Sequence, residues 1–152
     1  MRIIPFEPRH AAAWRDLNAA WISRHFALEA SDHEVLDHPD ANVLAKGGRI
    51  FMAEDEAGEA IGCVGLKAMA DGGFEVIKMT VTEAARGTGL GRALMQTCIE
   101  TARAAGAPRL YLETNAGLGP AMALYRAVGF KDLPVQETPY ARCDTWMELP
   151  LV

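Results

Sequence analysis

Apolar residues recur along the chain at two different spacings, which separate predicted helices from predicted strands. In residues 8–22, Trp14, Leu17 and Trp21 recur at the spacing of one helical face. Pro8 stands near the start of this segment, where a helix tolerates proline. The pattern therefore predicts a helix over residues 8–22.

Three later segments are also predicted to be helical. Residues 31–37 begin with a Ser-x-x-Glu capping box, formed by Ser31 and Glu34, and stop before Pro39. Two longer segments each carry apolar residues on one face, and they span residues 90–105 and 119–128.

The other apolar segments are short and are bounded by glycine, proline or acidic residues, as is typical of strands. They span residues 2–6, 49–55, 59–69, 74–81, 109–114, 130–135 and 144–151. The order of strand, two helices, three strands, helix, strand, helix and two strands predicts a mixed α/β (α+β) sheet. We expect one domain that covers residues 1–152.

Composition narrows the class of protein. Half of the residues are hydrophobic and no apolar run reaches the ~18 residues that span a bilayer, so we expect a cytoplasmic protein with no membrane partner. The net charge of −5 argues against a nucleic-acid partner. The three cysteines and four histidines lack the spacing of metal ligands, and we expect no metal.

The segment ARGTGLGRAL, residues 85–94, joins the apolar strand 74–81 to the helix 90–105. A glycine-rich turn before a helix suits an anion, because the first N–H groups of the helix lack internal partners and carry partial positive charge. Arg86 and Arg92 add formal charge. The spacing matches neither the P-loop nor the dinucleotide motif. A tight turn without a ligand is the alternative.

These residues resemble the GNAT superfamily of N-acetyltransferases. Arg86 to Gly91 is similar to its [Q/R]-x-x-G-x-[G/A] signature, and ALYRAVGF (123–130) is similar to its second conserved block. FEVIKMTV and LYLETN are similar to its fourth and fifth strands. The resemblance implies a mixed, mostly antiparallel sheet of six to seven strands flanked by about four helices, with the fourth and fifth strands splayed apart. It also implies acetyl transfer from acetyl-CoA to an amine.

The resemblance implies two cofactor-binding segments. The pyrophosphate of acetyl-CoA is expected at Arg86, Gly87, Thr88, Gly89, Leu90, Gly91 and Arg92. The thioester arm is expected along a bulged strand edge at Met79, Thr80 and Val81. A backbone N–H near Val81 would polarise the thioester carbonyl, as an oxyanion hole does.

Two side chains are implied to move protons. Tyr125 matches the general acid of the family, and a phenol of ordinary pKa is protonated at neutral pH. The alternative is a core aromatic residue on an amphipathic helix. Glu75 occupies a position where some members place a general base, and burial would raise its pKa usefully. The alternative is a glutamate that faces water or pairs with Lys67 or Lys78.

The chain departs from the family pattern at Leu118, where many members have an asparagine that contacts the cofactor. Asn115, at the end of a predicted strand, is a candidate to replace it. The alternative for Asn115 is a turn-forming role.

The resemblance implies that the acceptor binds between the early helices and the last hairpin, and the candidate residues there are Trp21, Phe26, Glu29, Tyr140 and Arg142. A bidentate bond from Arg142 to a carboxylate, with Glu29 attracting an amine, suggests a small amino acid or similar zwitterion. Ordinary surface and packing roles are the alternative.

The resulting hypothesis is acetyl transfer to a primary amine of a small molecule in a ternary complex. A protein or peptide N-acetyltransferase and a non-catalytic CoA-binding sensor are the alternatives. The family resemblance also makes a homodimer possible.

Overall fold

In the computed structural model, which describes residues 1–152, seven strands pair into one sheet. The strands are β1 (Arg2–Pro5), β2 (Arg49–Glu54), β3 (Ala60–Ala68), β4 (Phe74–Val81), β5 (Arg109–Thr114), β6 (Lys131–Leu133) and β7 (Thr145–Pro150). Their spatial order is β1-β2-β3-β4-β5-β7-β6, and every neighbouring pair is antiparallel except β4 and β5. The expected mixed, mostly antiparallel sheet is confirmed.

Five helices flank the sheet: α1 (Ala11–His25), α2 (Ala30–Asp37), α3 (Pro39–Asn42), α4 (Leu90–Ala104) and α5 (Gly119–Val128). The first predicted helix was placed three residues too early. Residues 8–10 form a 3-10 turn instead, in which Nδ1 of His10 accepts the backbone N–H of Glu7 at 2.9 Å. None of the helices is both long and apolar enough to cross a membrane.

The predicted cap of α2 was wrong by two residues. The helix begins at Ala30 with Glu29 as its N-cap, and Oδ2 of Asp32 accepts the Glu29 N–H at 2.9 Å. Glu29 and Asp32 have the same three-residue spacing as Ser31 and Glu34, and they also bind side chains from elsewhere in the chain. The long-range contacts therefore select between two local capping options.

Apolar side chains fill both faces of the sheet. One core packs α4 against β3, β4 and β5 through residues such as Val76, Leu94 and Leu110. The second core packs α1 and α2 against β2 and β3 through residues such as Trp14 and Met52. The central strands are nearly continuous apolar runs in the sequence because helices cover both faces of the sheet.

A bulge interrupts β4. Gly65 of β3 pairs with Ile77 and Cys63 pairs with Thr80, so β4 has one more residue than β3 in this interval. Lys78 lies in the bulge with a φ of +54°, a conformation that costs a non-glycine residue roughly 1–2 kcal/mol.

Beyond the start of β4, the fourth and fifth strands separate. Their parallel pairing is limited to Phe74 with Leu110 and Glu75 with Tyr111. The expected splaying is thus confirmed, and it opens a cleft in the middle of the sheet.

Candidate active site

A cavity of about 640 Å³ occupies the cleft between β4 and β5. Its walls are the C-terminal end of α1, β4 from Glu75 onward, the second half of β5, the glycine-rich turn before α4, one side of α5 and the loop before β7. Most of the residues predicted for the site line it: Trp21, Phe26, Glu75, Met79, Thr80, Val81, Arg86, Gly87, Gly89, Leu90, Gly91, Asn115, Tyr125, Tyr140 and Arg142.

Three predicted residues do not line the cavity. The hydroxyl of Thr88 donates to the backbone carbonyl of Ala85 within the turn. Arg92 is exposed on the first turn of α4. Glu29 lies outside the cavity, where its carboxylate accepts the Ala141 N–H of the loop before β7.

The glycine-rich turn presents the N-terminus of α4 to the cavity. Gly87 and Gly89 have φ values of +75° and +86°, which favour glycine, and Gly89 is the N-cap. No side chain caps this end of the helix and its first turn holds no acidic residue. The free N–H groups and the helix dipole therefore face the cavity, and this arrangement suits a pyrophosphate.

The edge of β4 beyond the bulge is also free on its cavity side. Thr82 N–H donates to Ile61 O at 3.0 Å, and Val81 is paired with Gly62 one position earlier. Because hydrogen-bonded and non-hydrogen-bonded pairs alternate in an antiparallel ladder, the Val81 N–H and C=O point away from β3. They point into the cleft, where β5 has already moved away.

Tyr125 lines the cavity from α5. Its ring packs at a tilt on Phe130, with the ring centroids 5.9 Å apart. Burial raises the pKa of its phenol to about 12, so the hydroxyl is protonated at neutral pH. The ring of Tyr125 therefore packs in the core, while its hydroxyl carries a proton that it can donate.

Glu75 lines the cavity from the first half of β4. Burial, followed by the negative charge of Glu113, raises its pKa to about 7, against the weaker opposing charges of Lys67 and Lys78. Neither lysine forms an ion pair with it; Lys78 pairs with Asp32 instead. A carboxylate with a pKa near neutrality is suited to accept a proton.

Glu113 of β5 lies beside Glu75 on the other strand. Its carboxylate accepts hydrogen bonds from the hydroxyl of Tyr111 at 2.7 Å and from the hydroxyl of Thr138 at 2.6 Å. Glu75 and Glu113 both line a smaller pocket of about 90 Å³ that adjoins the cavity. The two carboxyl groups form a like-charge pair at the point where β4 and β5 begin to diverge.

A buried carboxylate, Asp32, organises the opposite wall. It is fully buried and accepts two bonds from Arg142, at 2.6 and 2.7 Å, and one from the ammonium of Lys78. Burial by itself would raise the pKa of Asp32, but the bonds from Arg142 and Lys78 lower it to about 2. The ring of Tyr140 lies within cation–π distance of both cations.

Glu29 and Arg142 interact with each other. Nη1 of Arg142 donates to Oε2 of Glu29 at 3.2 Å, and the Ala141 N–H donates to Oε1 at 3.0 Å. The bidentate bond that was expected between Arg142 and the carboxylate of an acceptor is formed with Asp32 instead. Its Nε–H and one Nη2–H have no partner in the chain, so recognition of an acceptor by Arg142 stays a prediction.

The end of α1 contributes an aromatic wall. Trp21 and Phe26 line the cavity together with His25, and the Trp21 and His25 ring centroids lie 4.9 Å apart. Whether they contact an acceptor stays a prediction.

Asn115 behaves as a turn residue. Its Oδ1 accepts the Gly117 N–H at 2.8 Å and its Nδ2 donates to Arg142 O at 2.9 Å. These bonds support the turn-forming alternative, and Leu118 lines the cavity beside it.

Sequence reasoning missed Asp32 and Glu113 and treated Lys78 only as a possible partner of Glu75. One signal was available, because a lysine inside the apolar strand FEVIKMTV requires a buried acid. Nothing local identified Asp32 as that acid.

Comparison with known proteins gives the same family as the motifs. The model of the acetyltransferase (GNAT) family matches residues 11–130, which include α1, the glycine-rich turn and Tyr125. A relative from Azospirillum brasilense, named IAA acetyltransferase, is 38% identical over 94 residues, or 61% of each chain. The resemblance inferred from the sequence is confirmed.

Solved structures share the fold. An acetyltransferase of the GNAT family from Staphylococcus aureus Mu50 superposes with a TM-score of 0.90 at 19% identity, covering 99% of both chains. The protein yncA from Salmonella typhimurium, solved with acetyl-CoA, has a TM-score of 0.77 at 23% identity and covers 100% of this chain and 94% of that one.

Proposed function

The chain belongs to the acetyltransferase (GNAT) family, and we propose that it moves the acetyl group of acetyl-CoA to a primary amine of a small molecule while both are bound in the cavity. One observation carries the proposal. The uncapped N-terminus of α4, the free edge of β4 at Val81 and the phenol of Tyr125 all face one cleft.

The residues of the cleft fit acetyl-CoA. A Cβ at Gly87 or Gly89 would meet no atom within 4 Å, so the space beside the backbone of the turn is open to a pyrophosphate. Acetyl-CoA supplies an acetyl group activated as a thioester. The Val81 N–H donates to the acetyl carbonyl oxygen, where negative charge develops as the amine attacks.

Two protons move during the transfer. Glu75 accepts the proton that the amine nitrogen loses as its bond to the acetyl carbon forms, directly or through a water. Tyr125 donates its phenolic proton to the sulfur as the carbon–sulfur bond breaks, and solvent later restores both groups. The products are an N-acetylated amine and free CoA. A sensor that merely bound CoA would have no use for a protonated phenol at this place.

The walls around the acceptor carry both signs of charge. Arg142 and Lys78 are cationic and line the cavity, while Glu75 accepts a proton from an amine. We infer an acceptor that joins a primary amine to a carboxylate, such as a small amino acid, with the carboxylate at the free N–H groups of Arg142.

Replacement of Tyr125 by phenylalanine is expected to lower kcat by at least about 10²-fold, because the variant keeps the ring but loses the proton donor. The affinity for acetyl-CoA, measured by calorimetry, is expected to stay at the native value. A native kcat in Tyr125→Phe would assign Tyr125 a packing role alone.

The pH dependence of kcat/KM is expected to rise with pH through about 7, because Glu75 must be ionised to accept a proton. Glu113→Gln removes the neighbouring negative charge, which favours the ionised form of Glu75, so the rise is expected at lower pH. The Glu75→Gln variant is expected to lose this rise of kcat/KM with pH. Glu100→Gln, which makes the same charge change on the exposed face of α4, is the control. An unchanged profile in Glu113→Gln and Glu75→Gln would contradict the assignment.

The acceptor class is tested by pairing each amino acid with the amine that remains when its carboxylate is removed. Release of the CoA thiol is the readout. The native protein is expected to prefer the amino acid, and Arg142→Gln is expected to lose that preference. Arg126→Gln, at an exposed arginine that binds Asp132, is the control. An equal rate with both members of each pair, or a preference retained in Arg142→Gln, would contradict recognition by Arg142.

A further inference from the structure

A buried hydrogen bond joins α1 to β4 beside the bulge. The hydroxyl of Thr80 donates to Oδ1 of Asn18 at 2.7 Å. Asn18 is 1% exposed and Thr80 is 6% exposed. Both side chains are buried, and burial of a polar group is costly unless the group is paired.

The remaining bonds of Asn18 fix its orientation. Its Nδ2 donates to the backbone carbonyl of Trp14 at 2.8 Å and approaches Sγ of Cys63 at 3.4 Å. A flipped amide would set its oxygen against the Trp14 carbonyl, so the Thr80 hydroxyl meets a fixed acceptor.

These groups enclose the bulge. Thr80 directly follows it, and Sγ of Cys63 lies 3.6 Å from the carbonyl of Lys78 inside it. Lys78 has a positive φ, and such a backbone conformation persists where surrounding contacts impose it. Asn18 therefore contacts the residue that follows the bulge, Thr80, and through Cys63 it is linked to the Lys78 carbonyl within the bulge.

We propose that Asn18 and Thr80 are positioning residues for acetyl transfer: their buried hydrogen bond fixes the β4 bulge and so aims the Val81 N–H into the cleft. Neither side chain contacts the reacting atoms in this account. The inference rests on the proposed function, because it assumes that the acetyl carbonyl lies at Val81.

The direction of the Val81 N–H depends on the extra residue. Loss of the bulge would slip β4 by one position against β3 and turn that N–H toward β3. The same slip would turn Lys78 away from Asp32. The glycine-rich turn lies outside the bulge, so the effect is expected at the acetyl carbonyl and not at the pyrophosphate.

The test compares Thr80→Val, which keeps the branched shape but loses the hydroxyl, with Thr80→Ser, which keeps the hydroxyl. Calorimetry gives the dissociation constants of acetyl-CoA and of free CoA. Thr80→Val is expected to bind free CoA as the native protein does and to bind acetyl-CoA more weakly relative to CoA. Its kcat is expected to fall by about tenfold or more, since a misplacement near 1 Å can cost ~10²-fold. Thr80→Ser is expected to retain native values.

The matched control is Thr97→Val, which makes the same substitution on α4 and removes the hydrogen bond from the Thr97 hydroxyl to Ala93 O at 3.0 Å. It is expected to leave kcat and the ratio of the two dissociation constants unchanged. The double variant Asn18→Leu/Thr80→Val removes both partners of the buried hydrogen bond and so leaves neither of them unpaired. It replaces Thr80→Val in the test if that variant does not fold.

A folded Thr80→Val or double variant with the native kcat and the native ratio would overturn the inference. An equal loss of affinity for acetyl-CoA and CoA would overturn it as well, because that pattern indicates a general defect of the cleft. A native protein that binds neither ligand would overturn the proposed function itself, which is a separate result.

Discussion

The separation of β4 from β5 is the constraint on which the site depends. A sheet of continuous strands would satisfy its backbone groups internally and would leave no cleft at its centre. Here the pairing of β4 with β5 ends after Glu75, and a bulge shifts the register of β4 against β3. The cleft therefore has a free peptide edge on one side and the N-terminus of α4 at its end. Both are backbone features, and together they suit a ligand with a pyrophosphate and an amide-rich arm.

The pKa values of the two buried carboxyl groups beside the cleft depend on the charges that surround them. Burial raises the pKa of Glu75, and its like-charged neighbour Glu113 raises it further, while no ion-pair partner offsets either effect. Asp32 has no solvent-exposed surface, but hydrogen bonds from Arg142 and Lys78 outweigh its burial and lower its pKa. Two carboxyl groups of one site thus differ in pKa because of their neighbours. The first is suited to exchange protons, and the second is suited to hold Lys78 and Arg142 in place.

The sequence predicted those parts of the fold and of the site that depend on residues close together in the chain. The glycine-rich turn was predictable because two positive φ angles and an uncapped helix require particular residues at Gly87 and Gly89. Tyr125 and the splayed strands followed from the family resemblance. The bond from Arg142 to Asp32 joins residues that are 110 positions apart, and the bond from Thr80 to Asn18 joins residues that are 62 apart. Neither contact has a local signature, because each exists only after α1 and α2 pack on the sheet. The cap of α2 was misplaced for the same reason.

The most direct test of this account is a calorimetric titration with acetyl-CoA of the native protein and of the variants Gly89→Glu and Gly58→Glu. Both glycines have a positive φ, and a Cβ at either would meet no atom within 4 Å, but Gly58 lies in the turn between β2 and β3. We expect saturable binding by the native protein and by Gly58→Glu, and loss of binding in Gly89→Glu, whose carboxylate would stand where the pyrophosphate is bound. Absence of binding by the native protein, or native affinity in Gly89→Glu, would contradict the placement of acetyl-CoA in this cleft.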